Sequence, residues 1–411
     1  MLFSSLAPHP TPPHSEEDRL DRLRLLRSHR IGPASYRRLI EAHGTAAEAL
    51  RALPERARAA GAGPYRPQSE DAARREVEAA RAAGARAVFL HEPAYPSALR
   101  DVADAPPMLW CRGDLTLAER PAVAVVGARD ASSLGIRMTR SLARGLAEAG
   151  FVVVSGLARG VDAVAHEAAL AGGTIAVTAG GCDVVYPPQN EALMGRIAGG
   201  GLIVSEQPMG LGPQARHFPR RNRIVSGLAR AVVVVEAAAR SGTLITARTA
   251  LDQGREVLAV PGHPFDGRAS GCNMLIRDGA VLVRGVEDVL DALEAAGATL
   301  PTPAGERAAP DREGARPRDG AEGPSPEPSR RTEPAGGGSG PAGSEGLGRP
   351  DEGAGALRGR LLALLGPSPV AEDRLIRDLG LPAERVMAEI MALELEGRVD
   401  RRAGGLLGLS G

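Results

Sequence analysis

Short apolar runs separated by stretches of helical periodicity fill residues 121–296 of the chain. The runs are rich in β-branched residues, and the stretches between them repeat apolar positions at helical spacing. Such runs are typical of strands buried on both faces, because helices cover each side of a parallel sheet. The pattern therefore predicts an α/β fold with a mostly parallel sheet. The predicted strands are Val123–Val126, Phe151–Val154, Ile175–Val177, Leu202–Val204, Val232–Val235, Val257–Val260 and Val281–Val283.

A small helical module is expected before the sheet, over residues 16–80. Leu23 and Leu26 recur at helical spacing, and Ile31-Gly32-Pro33 breaks the pattern. A helix, a Gly-containing turn and a second helix are compatible with a SAM-like or helix-hairpin-helix module. Its Arg side chains could contact DNA or simply solvate one helix face. One further strand, Ala87–Leu90, is expected where the module meets the core, which is predicted to span residues 85–298.

The C-terminal part reads as a linker followed by a second small domain. Residues 299–355 are dominated by Pro, Gly, Ser, Glu and Arg, and cannot bury a core, which predicts a disordered linker. Residues 356–411 regain helical periodicity and end in a hairpin-like segment, the pattern of a winged helix. Its third helix carries four acidic residues against one Arg, which favours protein contact over DNA reading. These residues are Glu384, Glu389, Glu394 and Glu396 against Arg385.

Composition restricts where a nucleic-acid site can lie. The 411 residues include 50 basic and 50 acidic side chains, so a polyanion can be bound only at a local patch. The chain contains no Lys, so each cation is a planar guanidinium suited to phosphates and base edges. Three isolated cysteines, without metal-ligand spacing, fit a reducing cytoplasm. No signal peptide is recognised, and no apolar run approaches the ~18 residues that a membrane span requires.

The stretch Phe218–Leu228 is the strongest local basic signal. It places Arg220, Arg221 and Arg223 within four residues, beside an aromatic ring and an amide. Neighbouring guanidiniums repel one another, so an anion lying across them would keep them together. The aromatic ring would add a surface for stacking a base. A solvated basic loop end is the alternative interpretation.

Gly-rich turns follow several of the predicted strands. Gly lets the backbone approach an anion, and the next helix offers free N–H groups at its N-terminus. Ligands of open parallel sheets bind beyond the carboxyl ends of the strands. The repeated turns therefore favour a site for several phosphates or a polynucleotide, although none matches the Walker pattern. The turns are Gly127–Ser132, Ser155–Gly160, Thr178–Gly181, Arg240–Thr243 and Pro261-Gly262.

Signals for catalysis are weak. Asp162 and His166 share a helix face and could form a proton relay or a structural hydrogen bond. Glu236, at a strand end, is the best candidate for a general base, but no nucleophile or metal ligand pairs with it by sequence. We therefore assign no catalytic residue, no metal and no cofactor.

Together these residues resemble the DNA-processing protein A family, also called DprA or Smf, over roughly residues 85–296. The flanking helical module and winged helix match the family's three-part layout. The matching motifs are Val125–Arg129, Val154–Asp162 with Ala165 and His166, Tyr186-Pro187 with Asn190, Ser205-Glu206, Phe218–Ile224, Val235–Ala237, Ser241-Gly242 with Thr246-Ala247, and Val260–Gly262 with Gly271–Asn273.

The resemblance implies a Rossmann-like, doubly wound core that binds single-stranded DNA without sequence preference. It further implies a cytoplasmic homodimer that displaces single-strand-binding protein and loads the RecA recombinase, with no reaction catalysed. Natural transformation is the implied role, and repair is the alternative role. Ala128 replaces the family's commoner Ser, and Ala215, next to Arg216, stands where the family often has Lys. The predicted DNA-binding residues are Gly127, Arg129, Ser132, Gly156, Arg159, Arg216, Phe218, Arg221, Asn222, Ser241 and Gly242.

An enzyme acting on a nucleotide is the alternative function. N-glycosidic hydrolases of the lysine-decarboxylase-like group share a related sheet and Gly-rich turns. Their Pro-Gly-Gly-x-Gly-Thr-x-x-Glu loop is matched only by Gly242-Thr243, and Thr246 stands where the acid is needed. This departure disfavours the hydrolase.

Overall fold

The computed structural model describes residues 12–301 apart from 60, 62, 63 and 299, and then residues 354–365, 370–396, 398–402 and 406–409. Within this part of the chain, nine strands form one sheet in the order β1-β2-β6-β5-β4-β3-β7-β8-β9. The strands are β1 Ala85–Phe89, β2 Met108–Gly113, β3 Ala122–Gly127, β4 Val152–Ser155, β5 Thr174–Val177, β6 Leu202–Ser205, β7 Ala231–Val235, β8 Glu256–Ala259 and β9 Val281–Leu282.

Strand β3 marks the point where the chain changes direction across the sheet. It pairs in parallel with β4 on one side and with β7 on the other. The chain builds one half of the sheet from β3 to β6 and then returns to add β7, β8 and β9 beyond β3. A crevice opens beyond the carboxyl ends of the strands at such a reversal.

Helices cover both faces of the parallel strands. Alternate residues of a strand point to opposite faces, so Val123 and Val125 pack in one core cluster while Ala124 and Val126 pack in another. This two-sided burial explains the uninterrupted apolar runs and confirms the predicted doubly wound fold. The helices of this unit are α1 Glu16–Arg27, α2 Pro33–His43, α3 Ala46–Ala59, α4 Glu70–Ala82, α5 Ser97–Arg100, α6 Ser133–Glu148, α7 Val161–Ala169, α8 Glu191–Gly200, α9 His217–Leu228, α10 Thr243–Asp252, α11 Ser270–Arg277 and α12 Val286–Ala295.

Two antiparallel strands extend the sheet at one edge. Strand β2 pairs with β6, and β1 pairs with β2. The sequence predicted a strand close to β1 but missed β2, because its apolar residues follow the Pro-marked loop at Pro106-Pro107. Strand β2 carries Trp110, which is 2% exposed and packs with Phe89 beneath the N-terminal helices.

A hydrogen-bonded contact attaches the N-terminal helices to this edge. Glu76 on α4 accepts hydrogen bonds from Arg27 on α1, from Nε at 3.1 and 3.0 Å and from Nη2 at 2.8 Å, and one of 2.8 Å from the Trp110 indole. Arg27 also donates to the backbone oxygen of Glu206, at 3.3 Å. The carboxylate therefore ties two helices to β2, in agreement with the predicted N-terminal helical module.

The C-terminal residues form a separate unit with its own core. Its three helices pack on a small antiparallel sheet of order β10-β12-β11, which confirms the predicted winged helix. Arg358 pairs with Glu389 and Glu396. The predicted linker, residues 299–355, lies almost wholly outside the described residues, and the domain boundaries stay predictions. The elements are α13 Ala354–Leu364, α14 Glu372–Leu379, α15 Ala383–Leu395, β10 Val370–Ala371, β11 Val399–Arg402 and β12 Leu406–Leu409.

A membrane-spanning helix is not found among the described residues, since none of their helices is both long and apolar enough.

Candidate functional site

An open cavity of about 590 Å³ lies beyond the carboxyl ends of β3 and β7. This is the sheet reversal where a ligand crevice is expected. The loops that follow the two strands and the first turns of α9 and α10 form its walls. Eight of the eleven predicted residues line it: Gly127, Arg129, Gly156, Phe218, Arg221, Asn222, Ser241 and Gly242.

A smaller cavity of about 240 Å³ adjoins the first. The two share Arg129, Gly156, Ala158 and Phe218 in their linings. The smaller cavity adds the loop before α8 and the predicted residue Arg159. Arg129 and Phe218 therefore stand between two adjacent spaces.

A cation and two aromatic rings form the shared wall. The guanidinium carbon of Arg129 lies 5.3 Å from the centroid of the Phe218 ring. The Tyr186 ring packs against the Phe218 ring at a centroid distance of 5.8 Å and an angle of 57°. Tyr186 is 46% exposed and lines the smaller cavity, yet it was absent from the predicted set. Two features of the sequence could have indicated Tyr186 as a site residue: aromatics are scarce in the chain, and Tyr186 belongs to the Tyr186-Pro187 motif.

Arg221 lies beneath the cavity. The basic stretch forms helix α9 rather than a loop end, and this turns Arg221 inward until only 6% is exposed. Its Nη1 donates to the backbone oxygens of Gly156 and of Val177, the latter at 2.7 Å. Burial lowers the pKa of the guanidinium. Arg221 therefore holds the cavity floor and also lines the cavity, and its predicted contact with DNA stays a prediction.

Gly156 is required by that arrangement. A Cβ atom at this position would lie 1.8 Å from Nη1 of Arg221, so a side chain here would force the guanidinium out of its place. Gly127 is also needed for close approach, because its Cβ would meet the backbone oxygen of Val235 at 1.9 Å. A Cβ at Gly242 would meet nothing within 4 Å. At two of the three predicted glycines, Gly127 and Gly156, close contacts thus explain why a residue without a side chain is present.

The remaining cations of α9 have different surroundings. Arg223 is 8% exposed and pairs with Glu206 and, at 3.2 Å, with Asp104. Burial raises the pKa of Glu206. Arg220 is exposed to solvent. The interpretation that one anion lies across all three guanidiniums is therefore wrong, because Arg221 is turned into the protein whereas Arg220 is exposed.

Ser132 serves as a helix cap rather than as a free hydroxyl. Its Oγ accepts a 3.0 Å hydrogen bond from Gly135 N at the start of α6 and donates to Glu236. Glu236 also accepts from Ser132 N, at 2.8 Å. The hydroxyl therefore has a structural role at the start of α6, and its predicted contact with DNA stays a prediction. The candidate general base is likewise engaged, so the geometry gives the hydrolase alternative no support.

Ser241 and Gly242 precede α10 at the cavity wall. The Ser241 hydroxyl accepts a 3.1 Å hydrogen bond from Thr243 N, and Ser241 N donates to Ala238 O at 2.9 Å. Asn222 accepts a 3.2 Å bond from Arg221 Nε and still borders the cavity. Gly242 lies at the N-terminus of α10, where anions are stabilised.

Two predicted cations lie at the margin. Arg159 has a 54% exposed side chain and a distant pairing of 3.7 Å with Asp130. Arg216 is exposed at the start of α9 and lines neither cavity. Two other cations, Arg240 and Arg268, do line the larger cavity but were not among the predicted site residues. Arg268 was missed because it lies six residues after Gly262, outside the short turn Pro261-Gly262 that follows β8.

Asp162 and His166 do not form the suggested relay. Asp162 accepts from Gly156 N at 3.2 Å and from Ala158 N at 3.3 Å, which shapes the loop under the cavity. His166 instead bonds through Nδ1 to Thr174 Oγ1, at 2.7 Å. Both side chains therefore have structural roles. No group of three or more His, Cys, Asp or Glu suited to a metal occurs within the described ranges.

Comparison with known proteins places these observations in a family. The family model described as "DNA recombination-mediator protein A" matches residues 86–294. Models described as "DprA-like N-terminal HHH domain" and "DprA winged helix domain" match residues 16–79 and 346–405.

Individual relatives agree with the family match. The chain is 46% identical over 202 residues to DNA processing protein DprA of Streptococcus pneumoniae, covering 49% of this chain and 71% of that protein. It is 40% identical over 222 residues to the Bacillus subtilis protein of the same name, covering 53% and 75%. A solved structure of the S. pneumoniae protein superposes with a TM-score of 0.51 and 41% identity, covering 54% of this chain and 77% of that one.

Proposed function

Because the chain belongs to the DNA recombination-mediator protein A family and is a DNA-processing recombination mediator, we propose that it acts by binding single-stranded DNA in the cavity beyond β3 and β7. The observation that carries this proposal is the Arg129 guanidinium over the Phe218 ring, between two adjacent spaces. A flat cation and a ring at one wall suit an unpaired nucleotide, whose base offers a stacking face and whose phosphate offers a charge.

The surroundings support a strand rather than a duplex. Arg240 and the N-terminus of α10 line the larger cavity, where they can neutralise phosphates of a backbone that passes through. Phe218 and Tyr186 lie where a base can stack only when it is free of its pairing partner. Stacking on a ring and charge contacts with phosphates are open to every nucleotide, which favours binding without sequence preference.

We further propose the partners that the family resemblance implies. The protein would act in the cytoplasm as a homodimer that protects single strands, displaces single-strand-binding protein and loads RecA during natural transformation. Its contribution would be binding rather than catalysis. The test is co-sedimentation of RecA with coated single strands in the presence and absence of the protein.

A pair of Arg variants tests the site. Arg129→Ala removes the guanidinium at the shared wall, whereas Arg144→Ala removes an exposed guanidinium twelve residues into α6, about 18 Å along the helix from its cap. Fluorescence anisotropy with a labelled oligothymidylate should show an affinity loss of about tenfold or more for Arg129→Ala and little change for Arg144→Ala. Equal affinities of the two variants would reject this location of the site.

A further inference from the structure

Phe265 is displayed to solvent at the same edge of the sheet as the cavity. Among the large apolar side chains that the structure describes, it is the most exposed, at 84%. It lies in the loop between β8 and α11, and β8 runs parallel to β7, so this loop leaves the sheet at its carboxyl edge. The chain has only five Phe residues, and an exposed ring gains nothing from the core.

The loop is held in place by hydrogen bonds. Gly262 and Asn273 exchange two, of 3.1 and 2.9 Å, and Asp266 N donates to His263 O at 2.9 Å. The Phe265 ring contacts the His263 ring at a centroid distance of 5.7 Å and an angle of 39°. The aromatic is therefore presented by an ordered loop, which lowers the entropic cost of using it for binding.

A cation connects this ring to the cavity. Arg268, three residues later, lines the larger cavity together with Arg129 and Phe218. Its Nε and Nη2 donate to Asp266 at 3.1 and 3.2 Å, which fixes the direction of the guanidinium. Among the residues described, no acceptor contacts its Nη1, so one edge of the fork is free for a phosphate.

We propose that Phe265 is a second base-stacking surface, which takes a nucleotide of the strand after it leaves the cavity, with Arg268 bound to the intervening phosphate. This inference rests on the proposed binding of single-stranded DNA and extends its track to a second ring. It makes the footprint of one protein molecule longer than the cavity alone. A ring with this exposure could instead contact another copy of the chain, and the test separates that case.

The experiment measures affinity against oligothymidylate length by anisotropy. Phe265→Ala should bind the shortest bound oligonucleotides as the parent does, and should bind longer ones about fivefold or more weakly, since stacking one base contributes about 1–3 kcal/mol. The control is Leu251→Ala, which removes another exposed apolar side chain, at the far end of α10 from the cavity. It should match the parent at every length.

A Trp at the same position gives a direct readout. Phe265→Trp should keep the parent's affinity, and its fluorescence should be quenched by DNA beyond any change in the parent's single, buried Trp110. Equal affinity of Phe265→Ala and parent at all lengths, or a weaker self-association with unchanged DNA binding, would overturn the proposal. Loss of binding in Arg129→Ala at every length, alongside that result, would leave the proposed function standing. Failure of the parent itself to bind single strands would reject both.

Discussion

The guanidinium carbon of Arg129 lies 5.3 Å from the centroid of the Phe218 ring, although 89 positions separate the two residues in the chain. The turn after β3 supplies the cation, and the first turn of α9 supplies the ring. This pairing fixes the orientation of both groups at the wall shared by the two cavities. It also gives the first prediction.

Replacement of Arg129 by Lys should weaken binding of single strands even though the charge is kept. A Lys ammonium cannot stack flat on a ring or donate as a planar fork. We expect an affinity between those of the parent and Arg129→Ala, with the salt dependence of the parent retained. Titrations at two salt concentrations check both parts, and parental affinity for the Lys variant would show that planarity is irrelevant.

Arg221→Ala should destabilise the fold. The substitution leaves the oxygens of Gly156 and Val177 without their donor beneath the cavity. A buried group left unsatisfied costs about 1–3 kcal/mol. Urea denaturation should show a lower midpoint for this variant and an unchanged one for Arg220→Ala, whose side chain is exposed. Equal midpoints would contradict the structural role of Arg221.

A pair of glycine variants probes the same contact from the other side. Gly156→Ala would place its Cβ 1.8 Å from the Arg221 guanidinium, whereas Gly242→Ala meets nothing within 4 Å. We expect thermal unfolding to show a clear loss of stability for the first and almost none for the second. A parental melting temperature for Gly156→Ala would mean that Arg221 moves away freely.

The pH dependence of stability should reveal His166. Thr174 gives its own proton to Val153 O at 2.8 Å, so the imidazole donates from Nδ1. Burial lowers the pKa of His166 from 6.5 to about 3. Between these values the unfolded chain binds more protons than the folded one, so this residue makes stability fall as the pH is lowered through that window.

Other buried groups act in the opposite direction. Burial raises the pKa of Asp162 and of Glu206, and such carboxyl groups gain protons in the folded state first. A comparison with His166→Asn, which can still donate to Thr174, isolates the imidazole. Urea midpoints at pH 7 and pH 5 should differ more in the parent than in this variant. Identical losses would show that the residue does not titrate on unfolding.

Local pattern predicted most of the sheet because a strand buried on both faces is made mainly of apolar residues. Runs such as Val123–Val126 can therefore be recognised as strands from the sequence. Strand β2 was not predicted because its short apolar run directly follows the loop marked by Pro106-Pro107. Its place in the sheet depends on pairing with β6, about 90 residues later. The same limit applies to α9, where Pro219 and the clustered Arg residues concealed a helix whose first turn faces the cavity.

The candidate site was predictable in its location and less so in its roles. Gly-rich turns at the strand ends indicated the edge of the sheet at which the larger cavity lies. Whether an Arg faces a ligand or the protein interior depends on contacts far apart in sequence, such as that of Arg221 with Gly156. Ser132, by contrast, carried a readable signal, since a Ser before a helical pattern is a common N-cap.

The central claim is that the cavity beyond β3 and β7 binds an unpaired strand. The most direct measurement is a titration of the parent with single-stranded and duplex oligonucleotides of the same length at two salt concentrations. We predict tighter binding of the single strand, with a logarithmic salt slope of about −0.7 for each phosphate neutralised, and a shallower slope in Arg129→Ala. A clear preference for the duplex, or a slope that Arg129→Ala leaves unchanged, would contradict it.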